Sequence, residues 1–196
     1  MIRNKRNLIK HPLTLTVMGF VCAFSIFSIG NSQQPFEAIE STTPMTTAAE
    51  NYLNTLNRTQ MKMGTWPVDS EERFDWHFIP RARRGIPLKS MTQHQRSAAH
   101  ALLRNSLSSQ GYMKATGIMQ LEGILGVMEG SPERRDPEDY YWNIFGTPAS
   151  TNPWGWRFEG HHVSLNFSVG GHSTSGHSEG LPSITPAFFG SNPHLI

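Results

Sequence analysis

The run from Trp154 to Val169, WGWRFEGHHVSLNFSV, sets an arginine, a glutamate and two adjacent histidines among aromatic and branched residues. A guanidinium grips anions through a fixed fork of donors, a carboxylate serves as base or orients an imidazole, and an imidazole moves protons near neutral pH. Read as one regular strand, the run places Arg157, Glu159 and His161 on the same face as Val163, Leu165 and Phe167, which puts charge into the core. A bulge at Gly160 resolves this, because the parity then flips. Trp156 and Phe158 join the apolar residues, and Arg157, Glu159, His162, Ser164 and Asn166 share the opposite face. His162 is then the proton shuttle and Glu159 its orienting or basic partner. Arg157 holds an anionic substrate, with Asn166 assisting by hydrogen bonding and Trp154 lining the ligand side. Ser164 is a conceivable nucleophile, but no Gly-x-Ser-x-Gly elbow surrounds it.

Two residues outside that trio are expected to be buried partners. Glu122 interrupts an apolar helical stripe between Ile118 and Leu125, and a buried carboxylate must be paired or protonated. Arg157 and a histidine are both available to it. His161, on the buried side of the run, reads as a hydrogen-bonded core histidine. Five of the nine histidines follow residue 160, which suggests a metal site with His162 and His172 as ligands and zinc as first guess. The chain has no HExxH or His-x-His motif.

These groups need a scaffold. Apolar spacing predicts a helix from Thr47 to Met63, another from about Thr92 to Leu107 behind a Ser90/Gln93 capping box, and a third from about Tyr112 to Glu129. The last two are expected to form a helical hairpin. Alternation at Phe74, Trp76 and Phe78 predicts a strand ending at Pro80, and Arg81, Arg83 and Arg84 before Gly85 read as a solvated turn. GGHSTSGHSEG after Val169 reads as a loop.

The first thirty residues carry a basic stretch to Lys10, an uncharged apolar run from Leu13 to Ile29, and then Gly30 and Ser32, the pattern of a signal peptide or a retained anchor. Residues 31–46 read as a flexible linker and 47–196 as a single domain. The formal net charge of +2 depends on that first segment: Arg3, Lys5, Arg6 and Lys10 lie in it, and the remaining basic residues are outnumbered by the 15 acidic ones. Nothing electrostatic therefore suggests nucleic acid as a partner, and a membrane is expected only through the N-terminal segment. The one cysteine, Cys22, lies in the same segment, so a processed chain has neither disulfides nor a thiolate nucleophile.

Five ordered blocks carry a resemblance. They are PRARRGIPLKSMTQHQ from Pro80, LLRNSLSSQGYMKATGIMQLEGIL from Leu102, IFGTPAS from Ile144, the Trp154–Val169 run, and TPAFFGSNP from Thr185. Together they resemble the uncharacterised family known as domain of unknown function 3500, over a stretch from about Trp66 to the last residue. The resemblance implies a domain longer than this chain, with a largely helical final part, and carries no established activity or catalytic residue.

The residues thus predict an exported α+β domain, or one anchored by residues 13–29, with a mixed or antiparallel sheet and a helical hairpin packed on one face. The leading functional expectation is an enzyme of hydrolytic or general acid-base type. A non-catalytic module that binds a ligand through the same aromatic and polar face is the alternative, and a purely structural Arg157–Glu122 pair a third.

Overall fold

The computed structural model describes residues 43–148, 152–170 and 182–192. The predicted signal segment, the linker to residue 42 and the Gly-Ser-His loop with His172 lie outside the described residues. Among those described, no helix is long and apolar enough to cross a membrane.

The fold is α+β. Helix α1, Thr43–Asn54, and helix α2, Arg58–Gly64, replace the one helix expected from Thr47. Pro44, which needs no amide partner in a first turn, opens α1. A second cap at Asn57, whose side chain accepts from the Gln60 amide at 2.9 Å, breaks the run in two. Met45, at 1% exposure, therefore belongs to the core rather than to a linker. Helix α3, Gln93–Ser106, starts in a capping box at Thr92 and Gln95, two residues beyond the predicted one. Ser108 caps α4, Ser109–Glu129. α3 and α4 follow each other across a short turn and touch through His100, Arg104 and Tyr112, and α3 packs more extensively along α1.

Strands β1 (Thr65–Trp66), β2 (Ile86–Pro87), β3 (Tyr141–Phe145), β4 (Trp154–Gly160), β5 (Val163–Val169) and β6 (Ser183–Phe189) form one mixed sheet. Its order is β1-β3-β4-β5-β6, with β2 also on β3; β1 runs parallel to β3 and the other pairs are antiparallel.

The Trp154–Val169 run is a hairpin, not one strand. Gly160 faces Val163, leaving His161 and His162 as the two-residue turn. A bulge and a tight hairpin flip parity alike, so the predicted faces survive for all except the histidines. Trp142, Trp156, Phe158, Leu165 and Phe167 form the helix-side core, where the Trp142 indole donates to Ala99 O at 3.2 Å and Trp156 stacks on Phe167 at 4.3 Å. The other face carries Asn143, Arg157, Glu159 and Ser164, each buried to within 1%.

What buries that polar face is the stretch between Pro67 and Gly85. A single 3-10 turn, Glu71–Arg73, lies in it, and the strand predicted at 74–78 does not form. Its backbone is bonded to the sheet's face rather than to an edge. The His77 amide donates to Glu159 Oε2 at 2.9 Å, Phe78 O accepts from the His162 amide at 2.8 Å, and Phe78 stacks on Phe188 at 3.8 Å.

Candidate functional site

Arg157 and Glu159 do lie together, but inside the protein. The Arg157 guanidinium donates to Glu72 O and Glu72 Oε1, both at 2.7 Å, and its Nε lies 3.0 Å from Glu159 Oε1. Arg84 adds a second cation 3.6 Å from Glu72 Oε2. With Arg157 at 0% and Glu159 at 1% exposure, no substrate reaches either group. Burial pushes the Glu159 carboxyl above its ordinary value, against the pull of Arg157 and the His77 amide. The expected Arg157–Glu122 pair is likewise replaced: the partner is Glu72, delivered by the 3-10 turn.

His162 stands apart from both. It occupies the second turn position with φ of 62°, a left-handed conformation in which histidine is enriched among non-glycine residues. Its amide is held by Phe78 O, and its carbonyl accepts from the Gly190 amide at 2.7 Å. Asn166 is no ligand group either. It faces the β5–β6 register shift, and its side-chain amide donates to Pro186 O at 2.9 Å. Trp154 and Ser164 are at 0% exposure, which places Trp154 in the core and leaves Ser164 unable to attack a substrate.

A second cluster, with Glu122 buried and His161 and Arg135 partly exposed, lies at the hairpin's tip. His161 Nδ1 lies 2.6 Å from Glu122 Oε2. The contact with a carboxylate oxygen fits the tautomer that carries its proton on Nδ1 and leaves Nε2 free, whereas the Arg135 guanidinium, which only donates, fits the opposite one; the shorter contact favours the first. Among the described residues, no protein group hydrogen-bonds Nε2. Arg135 Nη1 is 3.5 Å from the other oxygen of Glu122 and 3.1 Å from Nδ1, while its remaining nitrogens bind Glu129 at 2.8 and 2.9 Å. The Tyr140 hydroxyl donates to His161 O at 3.0 Å, fixing the turn, and burial keeps that phenol protonated well above its usual value.

These parts come from separated segments. α4 delivers Glu122 from its apolar stripe, and the loop after it folds back over Gly126, where a Cβ would sit 3.0 Å from the Arg135 side chain. Beside the pair opens a cleft of about 280 Å³, walled by His161, Glu122, Tyr141, Asp139, Arg83 and Arg134.

A family model described as "Protein of unknown function (DUF3500)" matches residues 38–196. The chain belongs to this family. No curated protein and no solved structure matches it. The sequence of the DUF3500 domain points to Glu122 and His161 as buried partners, gives no role to Arg135 or Glu72, and marks Arg83 only as part of a solvated turn. The anomaly of a carboxylate on an apolar stripe was the available signal, since it requires a nearby donor. Among the described residues of the DUF3500 domain, no three His, Cys, Asp or Glu side chains are grouped to hold a metal ion. The alternative ligand His172 lies outside them.

Proposed function

We propose that this domain is an enzyme of general acid-base type, with His161 as the proton-transferring group and Glu122 as the carboxylate that orients it. The carrying observation is the 2.6 Å contact of His161 Nδ1 with Glu122 Oε2 at the wall of a cleft. A partner of this kind fixes ring and tautomer and stabilises the imidazolium that forms when Nε2 takes a proton, a device that contributes roughly 10²–10⁴-fold to rate. Arg135, clamped on Glu129, holds the Glu122 carboxylate in place. The hydrolytic or proton-abstracting role that the sequence suggests for His162 and Glu159 thus belongs to the preceding histidine and to the helix α4 carboxylate. The basic, apolar and small-residue order of residues 1–32 supports an exported setting for this chemistry.

The ¹⁵N chemical shifts of the two imidazole nitrogens test the arrangement without a substrate. The expected result is a His161 ring protonated at Nδ1 near neutral pH that loses this preference in Glu122→Gln. A ring protonated at Nε2 in the wild-type protein overturns the assignment. Screened against small chromogenic esters and phosphate esters, the wild type should exceed His161→Gln by at least roughly 10²-fold. Ligand binding at the cleft with equal turnover by the two proteins would make the domain a binding module.

A further inference from the structure

The acidic and basic side chains around the cleft do not balance one another. Asp139 contacts Lys89 Nζ at 2.7 Å and accepts from the Tyr141 hydroxyl at 2.8 Å. Asp136 lies 3.4 Å from the same ammonium, and Glu122 is held by His161 and Arg135. Each carboxylate lining the cleft therefore has a cationic or imidazole partner in contact. Arg83 and Arg134, which also line it, have no carboxylate within ion-pairing distance among the described residues.

Arg83 is the unusual one of the two. Its Nη2 donates to Ile79 O at 2.6 Å and to His77 O at 3.3 Å, and its Nη1 donates to Arg81 O at 3.1 Å. Its Nε is buried without an acceptor. Three carbonyls thus lock the guanidinium in place, yet none of them neutralises it. Burial pulls the Arg83 guanidinium below its ordinary value, with Glu159 and then Asp139 pulling the other way without contacting it. A fixed charge left in this state costs stability unless an anion completes it.

We infer that the cleft takes a small organic molecule bearing a carboxylate, seated on Arg83 with Arg134 at the rim, so that its reacting end lies at His161. The inference rests on the acid-base reading of the same cleft for the last clause only. One negative charge satisfies Arg83, and a carboxylate fits a guanidinium closely. A phosphate dianion would bring a second charge toward Glu122, Asp136 and Asp139 with one unpaired rim cation to meet it. The volume of about 280 Å³ lies just under the usual range of small-molecule sites and suits a ligand of few atoms.

The test is an NMR titration of the full-length protein with sodium acetate, against sodium chloride at matched ionic strength and against inorganic phosphate. Acetate should produce saturable shifts at the Arg83 side chain and the His161 ring. Binding should weaken roughly tenfold or more in Arg83→Gln, the loss expected for one charge-assisted contact. Arg83 also holds three loop carbonyls, so Arg134→Gln, at an exposed position, provides the second variant. It should weaken acetate by about twofold to threefold with unfolding unchanged. Shifts that merely follow ionic strength, or acetate binding that both variants leave intact, overturn the inference while the tautomer of His161 still stands. Tighter binding of phosphate than of acetate overturns the choice of carboxylate. Saturable acetate binding beside a His161 ring protonated at Nε2 would retain the anion site and discard the acid-base reading.

Discussion

Two clusters that each combine an arginine with carboxylates, the second adding an imidazole, meet on one hairpin at Arg157, Glu159 and His161. Arg157, Glu72 and Glu159 sit beneath the β4–β5 strands, and His161, Glu122 and Arg135 sit at their tip. In the first, all three groups are at 8% exposure or less, and two backbone groups as well as side chains hold them, with Arg157 Nε 3.0 Å from Glu159 Oε1. In the second, one imidazole nitrogen has no protein partner among the described residues, and its residue lines a cleft. The parts therefore do not decide between structure and chemistry. What decides is whether a bonding position remains open to something that arrives from outside.

The largest expected effect comes from breaking the closed cluster. Arg157→Ala strands Glu72 and Glu159 as buried carboxylates without their shared cation, which should cost about 3–5 kcal/mol in urea unfolding. Glu72→Gln removes one charge but keeps an acceptor, and should cost less. If Arg157→Ala unfolded at the wild-type urea concentration, the cluster would have no structural role and the contrast between the two sites would fail.

A smaller change sharpens the contrast at the join between the clusters. Gly160 ends β4 where the Tyr140 ring occupies the space of a side chain, so a Cβ there collides with the ring. Gly160→Ala should cost about 1–3 kcal/mol, the usual range for overpacking. It should also displace the Tyr140 hydroxyl from His161 O, so the Nδ1 proton preference of His161 should weaken in the same variant. An unaltered His161 spectrum in a destabilised Gly160→Ala protein would show that the turn is set elsewhere.

The faces of the sheet were legible because period-two alternation survives either a bulge or a hairpin. The turn was not, since two-residue turns are usually announced by Asn-Gly or Asp-Gly and here both positions are histidine. Only one of them needs a left-handed φ, and histidine tolerates it. Gly160, the residue that looked like a bulge, is glycine because of Tyr140, a contact across strands that no local pattern carries. Glu122 betrayed itself through its stripe, yet its partners come from a polar loop and from a turn read as strand. Glu72 and Arg83 belong to a segment whose order comes from bonds to the sheet's face, and such order leaves no periodicity to read.

The smallest effect concerns His162, the residue that sequence reading favoured and the structure moves aside. Burial first, and then the neighbouring His161 and Arg135, hold its imidazole below the ordinary histidine value, with Glu122 pulling the other way. The unfolded chain, titrating near about 6.5, then takes up a proton before the folded one does. Stability contributed by the neutral ring is present above that pH and is lost as pH falls beneath it. His162→Asn keeps a side chain that accepts the left-handed turn and removes the titrating group. The variant should match the wild type at pH 7.5 and show a shallower fall of Tm toward pH 5. If the two proteins lost Tm in parallel, the acid sensitivity would belong to other groups. His162 would then be only the turn residue that holds Phe78 and Gly190 together.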